Sequence, residues 1–212
     1  MGILIGVYMY ERLQAIFTAL HLSQEKMTLQ KFVDFITLLQ KWSKVHNLTA
    51  LSNTEDILTK HIADSLSIHS YIKGDRIIDV GTGAGFPGIP LALIFPEKSF
   101  TLLDSDRKKI GFLIEVKRVL QLPNVRLINQ RAEDFHPEAL FDIVVTRAVS
   151  SLPNIIECTA HLLNPEGVCV AMKAQINESE KKLPVAFQLK EWNPIIVPGL
   201  EAERSVAIIS HV

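Results

Sequence analysis

The chain has 212 residues, 22 Lys and Arg against 23 Asp and Glu, a net charge of −1 and 48% hydrophobic residues. That balance supplies a packed core and excludes a disordered chain. It also excludes a globally basic nucleic-acid binder, so a nucleic-acid partner would have to be met by a local patch.

The length suits one α/β domain with a helical extension. Cys158 and Cys169 belong to no CxxC, which fits a reducing cytosol and argues against a disulfide framework or zinc ribbon. The seven histidines form no HxxxH or HExxH pair, so no metal site is expected. The apolar start "MGILIGVYMYERLQ" lacks a basic n-region, and Glu11 and Arg12 cut it short. It is read as neither a signal peptide nor a membrane span, and the chain as soluble and cytoplasmic, with Met1 or Met9 as its start.

From about Glu11 to Ser70 the pattern is helical. After Ser23, a candidate N-cap, apolar residues at Leu29, Phe32, Val33, Ile36, Leu39, Trp42 and Val45 form one stripe. A second helix is expected from Glu55 to about Ser70. Residues 1–70 are therefore read as an N-terminal helical cap and 71–212 as the main domain. Beyond "KGD", strands are expected at Arg76–Val80, Phe100–Asp104, Val125–Asn129, Asp142–Thr146 and Val168–Met172. The intervening helices are Gly88–Phe95, Lys108–Leu120 and Ser151–Leu162. Alternation of this kind specifies parallel strands joined by right-handed crossovers. The last stretch, with apolar runs Ile195–Val197 and Val206–Ile209 and no helix between them, predicts a β-hairpin and hence one antiparallel strand. Ligands of such sheets sit at the carboxyl ends of the strands. That directs attention to Gly81–Gly85, Asp104–Asp106, Arg131–Glu133, Arg147–Ser151 and Lys173.

"DVGTGAGFPGIP" is the most informative stretch. No GxxxxGK[ST] is present, which removes the P-loop reading. Gly83, Gly85 and Gly88 formally satisfy the dinucleotide pattern GxGxxG, and Asp104 lies where a ribose-binding acid would stand. Two features oppose a dinucleotide. Pro87 and Pro90 lack N–H groups in the loop and first helical turn, where a pyrophosphate needs donors. Asp79 heads the turn, giving Asp-x-Gly-x-Gly-x-Gly over Asp79, Gly81, Gly83 and Gly85. A carboxylate there suits the cationic methionine moiety of S-adenosylmethionine and repels a diphosphate. Asp104 can accept both ribose hydroxyls, or it can cap the helix that begins near Lys108.

In this order, "KWSKVHNLT", "HIADSL", "DVGTGAGFPGIPLA", "LLDSDRKK", "RAED", "TRAVSSL", "MK" and "ER" resemble the glucose-inhibited division protein B family of small-subunit ribosomal RNA methyltransferases. The resemblance covers about Lys41 to Ile209. It implies a class I S-adenosylmethionine-dependent methyltransferase fold: Rossmann-like, with a seven-stranded, mostly parallel sheet ending in an antiparallel β-hairpin. It implies S-adenosylmethionine as cofactor and N7 of one guanine in the decoding region of 16S rRNA as acceptor; the RNA partner is expected within an assembling or assembled small ribosomal subunit, and the enzyme as a monomer. Carried over by motif, Gly81, Phe86, Ala132, Glu133 and Arg147 would contact the cofactor, and Arg131, Arg147, Lys173 and Arg204 would lie near the acceptor. The chain departs from the usual family pattern at Ser43, Ala174 and Ser205, where Asn, Gly and His are usual.

The residues agree with that chemistry. Methylating an exocyclic amine calls for an Asn/Asp-Pro-Pro-aromatic stretch where this chain reads "TRAVSS". Methylating carbon 5 of a pyrimidine needs a cysteine at a strand end, and both cysteines read as core residues. Guanine N7 already has a free lone pair and needs no base. Arg147 and Lys173 are therefore the candidate catalytic groups, with Arg131, Lys173 and Arg204 holding RNA. The i,i+3 pair His61 and Asp64 either lines the cleft or ties the cap in place, the second reading being favoured. Two other classes stay open at this point: an NAD-dependent oxidoreductase, from GxGxxG, and a non-catalytic RNA-binding module.

Overall fold

The computed structural model describes residues 2–46, 48–49, 53–147, 151–174, 180 and 182–212. Two long helices come first, α1 (Gly2–Ala19) and α2 (Lys26–His46). The first begins nine residues before the helical pattern became legible, within the apolar start. The second begins three residues after Ser23, so Ser23 is not its N-cap; the Leu29 N–H donates to the Glu25 carbonyl in its first turn.

The next helix changes winding twice. It runs as α3 (Thr54–Asp56), widens into a π-helix (Ile57–Ala63) and closes as α4 (Asp64–Leu66). Asn53 caps its start, accepting from the Asp56 N–H at 2.7 Å. It ends short of the expected Ser70, and a separate 3₁₀ turn, His69–Tyr71, follows. π-turns inside helices are rare and concentrate at functional positions.

The rest alternates as the sequence predicts: β1 (Arg76–Val80), α5 (Gly88–Ile94), β2 (Ser99–Leu103), α6 (Arg107–Leu120), β3 (Val125–Ile128), β4 (Phe141–Arg147), α7 (Leu152–Thr159), β5 (Leu163–Lys173), β6 (Phe187–Ile195) and β7 (Arg204–His211). The expected helix to Leu162 is cut at Thr159, and a 3₁₀ turn completes it. The sheet order is β3-β2-β1-β4-β5-β7-β6. Strands β1 to β5 are parallel, and β7 runs antiparallel to both β5 and β6. The one reversed strand of the predicted hairpin is thus β7. Of the expected run Ile195–Val197 only Ile195 is strand, the last residue of a β6 that begins at Phe187.

Period-two burial divides the strands between two layers. Ile77, Ile143, Val145, Val170, Met172, Val206 and Ile208 face α5, α6 and the N-terminal helices. Ile78, Val144, Cys169, Ala171, Ala207 and Ile209 face α7. The stripe on α2 supplies Leu29, Phe32, Phe35, Ile36 and Leu39 to the first layer, all with no exposed surface. The N-terminal helices therefore share one core with the sheet. Among the described residues no helix is long and apolar enough to cross a membrane.

This topology positions the site. Strand order reverses between β1 and β4, so the glycine turn and Arg147 flank the switch point where open sheets bind ligands. Because β7 is reversed, its first residues lie at the same edge as the last residues of the parallel strands. Lys173 pairs with Ser205, next to Arg204.

Candidate active site

The glycine turn is held from below. Gly81 and Thr82 both donate to the Leu103 carbonyl, Gly83 donates to Asp104 Oδ2 at 2.8 Å, and Gly85 and Phe86 donate to the Thr82 carbonyl. Gly81, Gly83 and Gly85 have φ of +70°, +60° and +93°, a region that L side chains avoid. Gly83, Gly85 and Gly88 serve different purposes. A Cβ on Gly85 would stand 2.6 Å from Ile89 Cγ1, and one on Gly88 would stand 2.7 Å from Asp79 Oδ2. Those two allow helix α5 to seat against the sheet. A Cβ on Gly83 would meet nothing closer than the Gly81 carbonyl at 4.0 Å. Gly83 alone of these three faces open space.

Asp79 does not project into that space. It is fully buried, and its Oδ2 accepts from Thr82 Oγ1 at 2.6 Å and from the Gly88 N–H at 2.8 Å. Its Oδ1 is buried with no partner. Burial pushes the carboxyl up to about 6, against the pull of Thr82 and Gly88. Asp104 directly follows β2 and is buried. Its Oδ2 takes the Gly83 N–H, and its Oδ1 takes the Asp106 N–H at 2.8 Å. The helix-capping role considered for it belongs to Asp106, which accepts from the Lys108 N–H.

The start of α5 settles the anion question. Gly88 N–H is spent on Asp79, Ile89 N–H on the Gly85 carbonyl and Leu91 N–H on the Pro87 carbonyl, and Pro90 has none. No amide of this first turn is left to cradle a pyrophosphate, which removes the physical basis for a dinucleotide. An orphaned buried carboxylate oxygen beside an open glycine fits a cationic ligand.

Across the switch point, Arg147 ends β4 with its guanidinium 5.3 Å from the centre of the Phe86 ring. It donates to the Lys60 carbonyl at 3.1 Å, to Asp64 Oδ2 at 3.3 Å and to His61 Nδ1 at 3.1 Å. A guanidinium only donates, so His61 Nδ1 is unprotonated and the ring proton sits on Nε2, facing Thr49 Oγ1 at 2.8 Å. The His61 ring stacks on Phe86, centroids 4.5 Å apart and 15° from parallel. Both His61 and Asp64 tie the N-terminal helices to the sheet through Arg147, and His61 alone of the two also lines the cleft. A cleft of about 150 Å³ is bounded by Leu48, Thr49, His61, the turn residues 81–84 and Phe86, Lys109 and Arg147. Larger hollows of about 680 and 660 Å³ lie elsewhere, at the amino edge of the sheet and beside the β6–β7 loop, and neither touches the glycine turn.

The remaining predicted residues are spread along the same edge. Arg131, Ala132 and Glu133 follow β3, with Arg131 and Glu133 exposed. Asn129 donates to the Asp104 carbonyl and ties that segment to β2. Cys158 donates weakly to Glu133 Oε1 at 3.5 Å. Lys173 ends β5 and pairs with Glu180 at 2.6 Å. Arg204 opens β7 and donates to Asp64 Oδ1 at 3.1 Å. Burial pushes the Cys169 thiol up to about 12 and also raises Cys158, so neither is an activated nucleophile. Sequence reasoning named His61 and Asp64 without assigning them to the site; the signal available was their spacing beside the glycine motif.

Burial, then the Arg147 charge, hold His61 down to about 3. Unfolded His61 takes a proton below about pH 6.5 while the folded ring does not, so this contribution is complete above 6.5 and is lost as pH falls toward 3. Asp79 acts in the opposite sense, because its raised value costs stability as pH climbs through 6. His61→Phe removes only the histidine contribution. Urea titrations are expected to show that stability at pH 7 minus stability at pH 5, taken with its sign, is lower in the variant than in wild type by up to about 2 kcal/mol.

The model of the family GidB, rRNA small subunit methyltransferase G, matches residues 28–207. The chain belongs to this family. The match starts thirteen residues ahead of Lys41, where the motif resemblance began, and takes in nearly all of α2. A ribosomal RNA small subunit methyltransferase G from Hydrogenovibrio crunogenus is 45% identical over 92% of this chain and 91% of its own length. One from Legionella pneumophila is 46% identical over 84% and 85%. Among solved structures, TrmN from Thermus thermophilus superposes with a TM-score of 0.57 at 18% identity, over 73% of this chain and 53% of that one, and shares the fold. Ser43 leaves its hydroxyl oxygen buried without a partner. Ser205 is buried with its hydroxyl on the Lys173 carbonyl.

Proposed function

We propose that the chain methylates N7 of one guanine in 16S rRNA, using S-adenosylmethionine, and that the edge of the sheet divides into a donor side and an acceptor side. On the donor side the methionine end lies over Gly83, with Gly81 and Phe86 walling it and buried Asp79 acting as a fixed negative charge beneath the turn. The ribose lies toward Asp104, and the adenine beyond it, toward Ala132 and Glu133. The enclosed cleft is smaller than the about 300 Å³ common for small-molecule sites, so the ligand would continue along this open edge. S-adenosylmethionine supplies the methyl group on a sulfonium that leaves as a neutral thioether, which calls for no acid.

On the acceptor side stand Arg147, Lys173 and Arg204, with Arg131 further along on the β3 side. Arginine donors suit guanine O6 and the flanking phosphates. The observation that carries the reading is the state of the bases around Arg147. Both Asp64 oxygens receive arginine donors, His61 Nδ1 receives another, and the His61 ring is held down to about 3. An acceptor that had to lose a proton would find no ready base in this group. Guanine N7 has none to lose, and orientation alone is worth roughly 7–11 kcal/mol. The residues up to 70 act as a cap that braces Arg147, those from 71 as the catalytic domain. The acceptor is presented by folded RNA, assembled into a ribosomal subunit or not, to a cytoplasmic monomer.

The test is to incubate the protein with labelled S-adenosylmethionine and either naked 16S rRNA or small subunits, then map the modified nucleotide by borohydride- and aniline-induced cleavage at 7-methylguanine. One cleaved guanine is the expected result. A methyl on an exocyclic amine or a pyrimidine carbon, or no transfer to either substrate despite cofactor binding, overturns it.

A further inference from the structure

Asp64 lies on the short α4 segment that follows the π-turn, yet its partners come from the other end of the chain. Oδ2 receives Arg147 from the end of β4, and Oδ1 receives Arg204 from the start of β7. The separations are 83 and 140 residues along the chain. Its side chain is 4% exposed, while those of Arg147 and Arg204 are 20% and 26% exposed. Two cations on strands separated by β5 are thereby drawn to one buried carboxylate, each by its own oxygen. The Lys60 carbonyl and His61 Nδ1, both within the π-turn, complete the set around Arg147.

This is more than is needed to dock the cap. The cap already has a broad apolar interface with the sheet layer. Asp64 does something the apolar contacts cannot. Two guanidinium groups would repel each other without an intervening anion, and each has several rotamers at a strand end. With the anion in place they become one rigid unit presented to the acceptor side.

We infer that Asp64 is a positioning residue for methyl transfer: it fixes Arg147 and Arg204 in a single arrangement that orients the acceptor guanine. The inference rests on the proposed guanine-N7 reading. Asp64 itself touches neither substrate, so its effect passes through the two arginines.

The experiment is a double-mutant cycle on kcat, measured at saturating S-adenosylmethionine and small subunits, with thermal melts of every variant. Asp64→Asn keeps the shape and one acceptor but removes the charge. It is expected to lower kcat about 30- to 100-fold, in line with the cost of misplacing a reacting group by about 1 Å. In an Arg204→Ala background the same substitution is expected to cost several-fold less, because one of its two partners is already gone. A merely structural role predicts the reverse: a lowered Tm, and a kcat loss that is undiminished when Arg204 is absent. The inference fails if Asp64→Asn turns over within twofold of wild type, or if its loss is the same in both backgrounds. If Asp64→Asn does not fold, Asp64→Glu keeps the charge and moves it by one methylene. A tenfold or greater drop in kcat with a near-normal Tm then supports the inference, and a wild-type kcat overturns it. Wild-type protein runs in every assay, so absence of transfer there would instead count against the guanine-N7 reading.

Discussion

Gly83→Val is expected to abolish S-adenosylmethionine binding while leaving a folded protein. The Cβ position at Gly83 opens onto space, with nothing nearer than 4.0 Å, so the branched side chain is accepted by the fold and fills the cleft. The cleft is only about 150 Å³, and two methyl groups occupy a large share of it. The residue would be held at φ +60°, at a cost of roughly 1–2 kcal/mol for an L side chain. That corresponds to a Tm loss of about 2–8 °C in a domain of this size. Calorimetric titration is expected to show affinity weakened by more than 100-fold. Gly85→Ala gives the contrasting result. Its Cβ would press on Ile89 and Leu113 inside the core, so stability falls first and binding only as a consequence. If Gly83→Val bound the cofactor like wild type, the donor side would have been placed wrongly.

The second large effect is at Arg147. Arg147→Ala is expected to lower kcat by about 10²–10³-fold, the scale seen when one preorganised donor is removed from an active site. It also strips a donor from the Lys60 carbonyl, His61 Nδ1 and Asp64 together, and a decrease in stability of about 1–3 kcal/mol should accompany it. Arg147→Lys separates the two effects. A single ammonium can satisfy Asp64 but cannot reach three acceptors as a planar fork does. The lysine variant should therefore regain much of the stability and little of the turnover. Steady-state kinetics with melts on the same preparations check both. Equal recovery of stability and turnover would reduce Arg147 to a brace for the cap.

Both predictions use residues that stood out before any fold was known, but the reasons for them changed. The turn Gly81–Gly88 reads as a nucleotide loop because alternating glycines after an apolar run have few other uses. Nothing local tells Gly83 from Gly85 or Gly88. The distinction arises because Ile89, Leu113, Leu102 and Asp79 converge on two of the three and leave the other facing the cleft. Asp79 was expected near the ligand because it heads the turn. The structure buries it under the turn, since the side chains of Ile77 and Asp79 fall on the same side of β1 and that side meets α5.

Strand and helix spacing, the reversed final strand and the class of ligand follow from local physics: periods of two and 3.6, prolines that remove amide donors, and glycines at positive φ. These depend on neighbours a few residues apart, so the order of amino acids is enough to determine them. The π-turn, the stacking of His61 on Phe86 and the meeting of Arg147 and Arg204 at Asp64 were decided only when the chain closed. Those contacts join segments up to 140 residues apart. A helical i,i+3 spacing says which face a side chain occupies but not what that face will meet, and at this edge the meeting brings the cap and the sheet into one site.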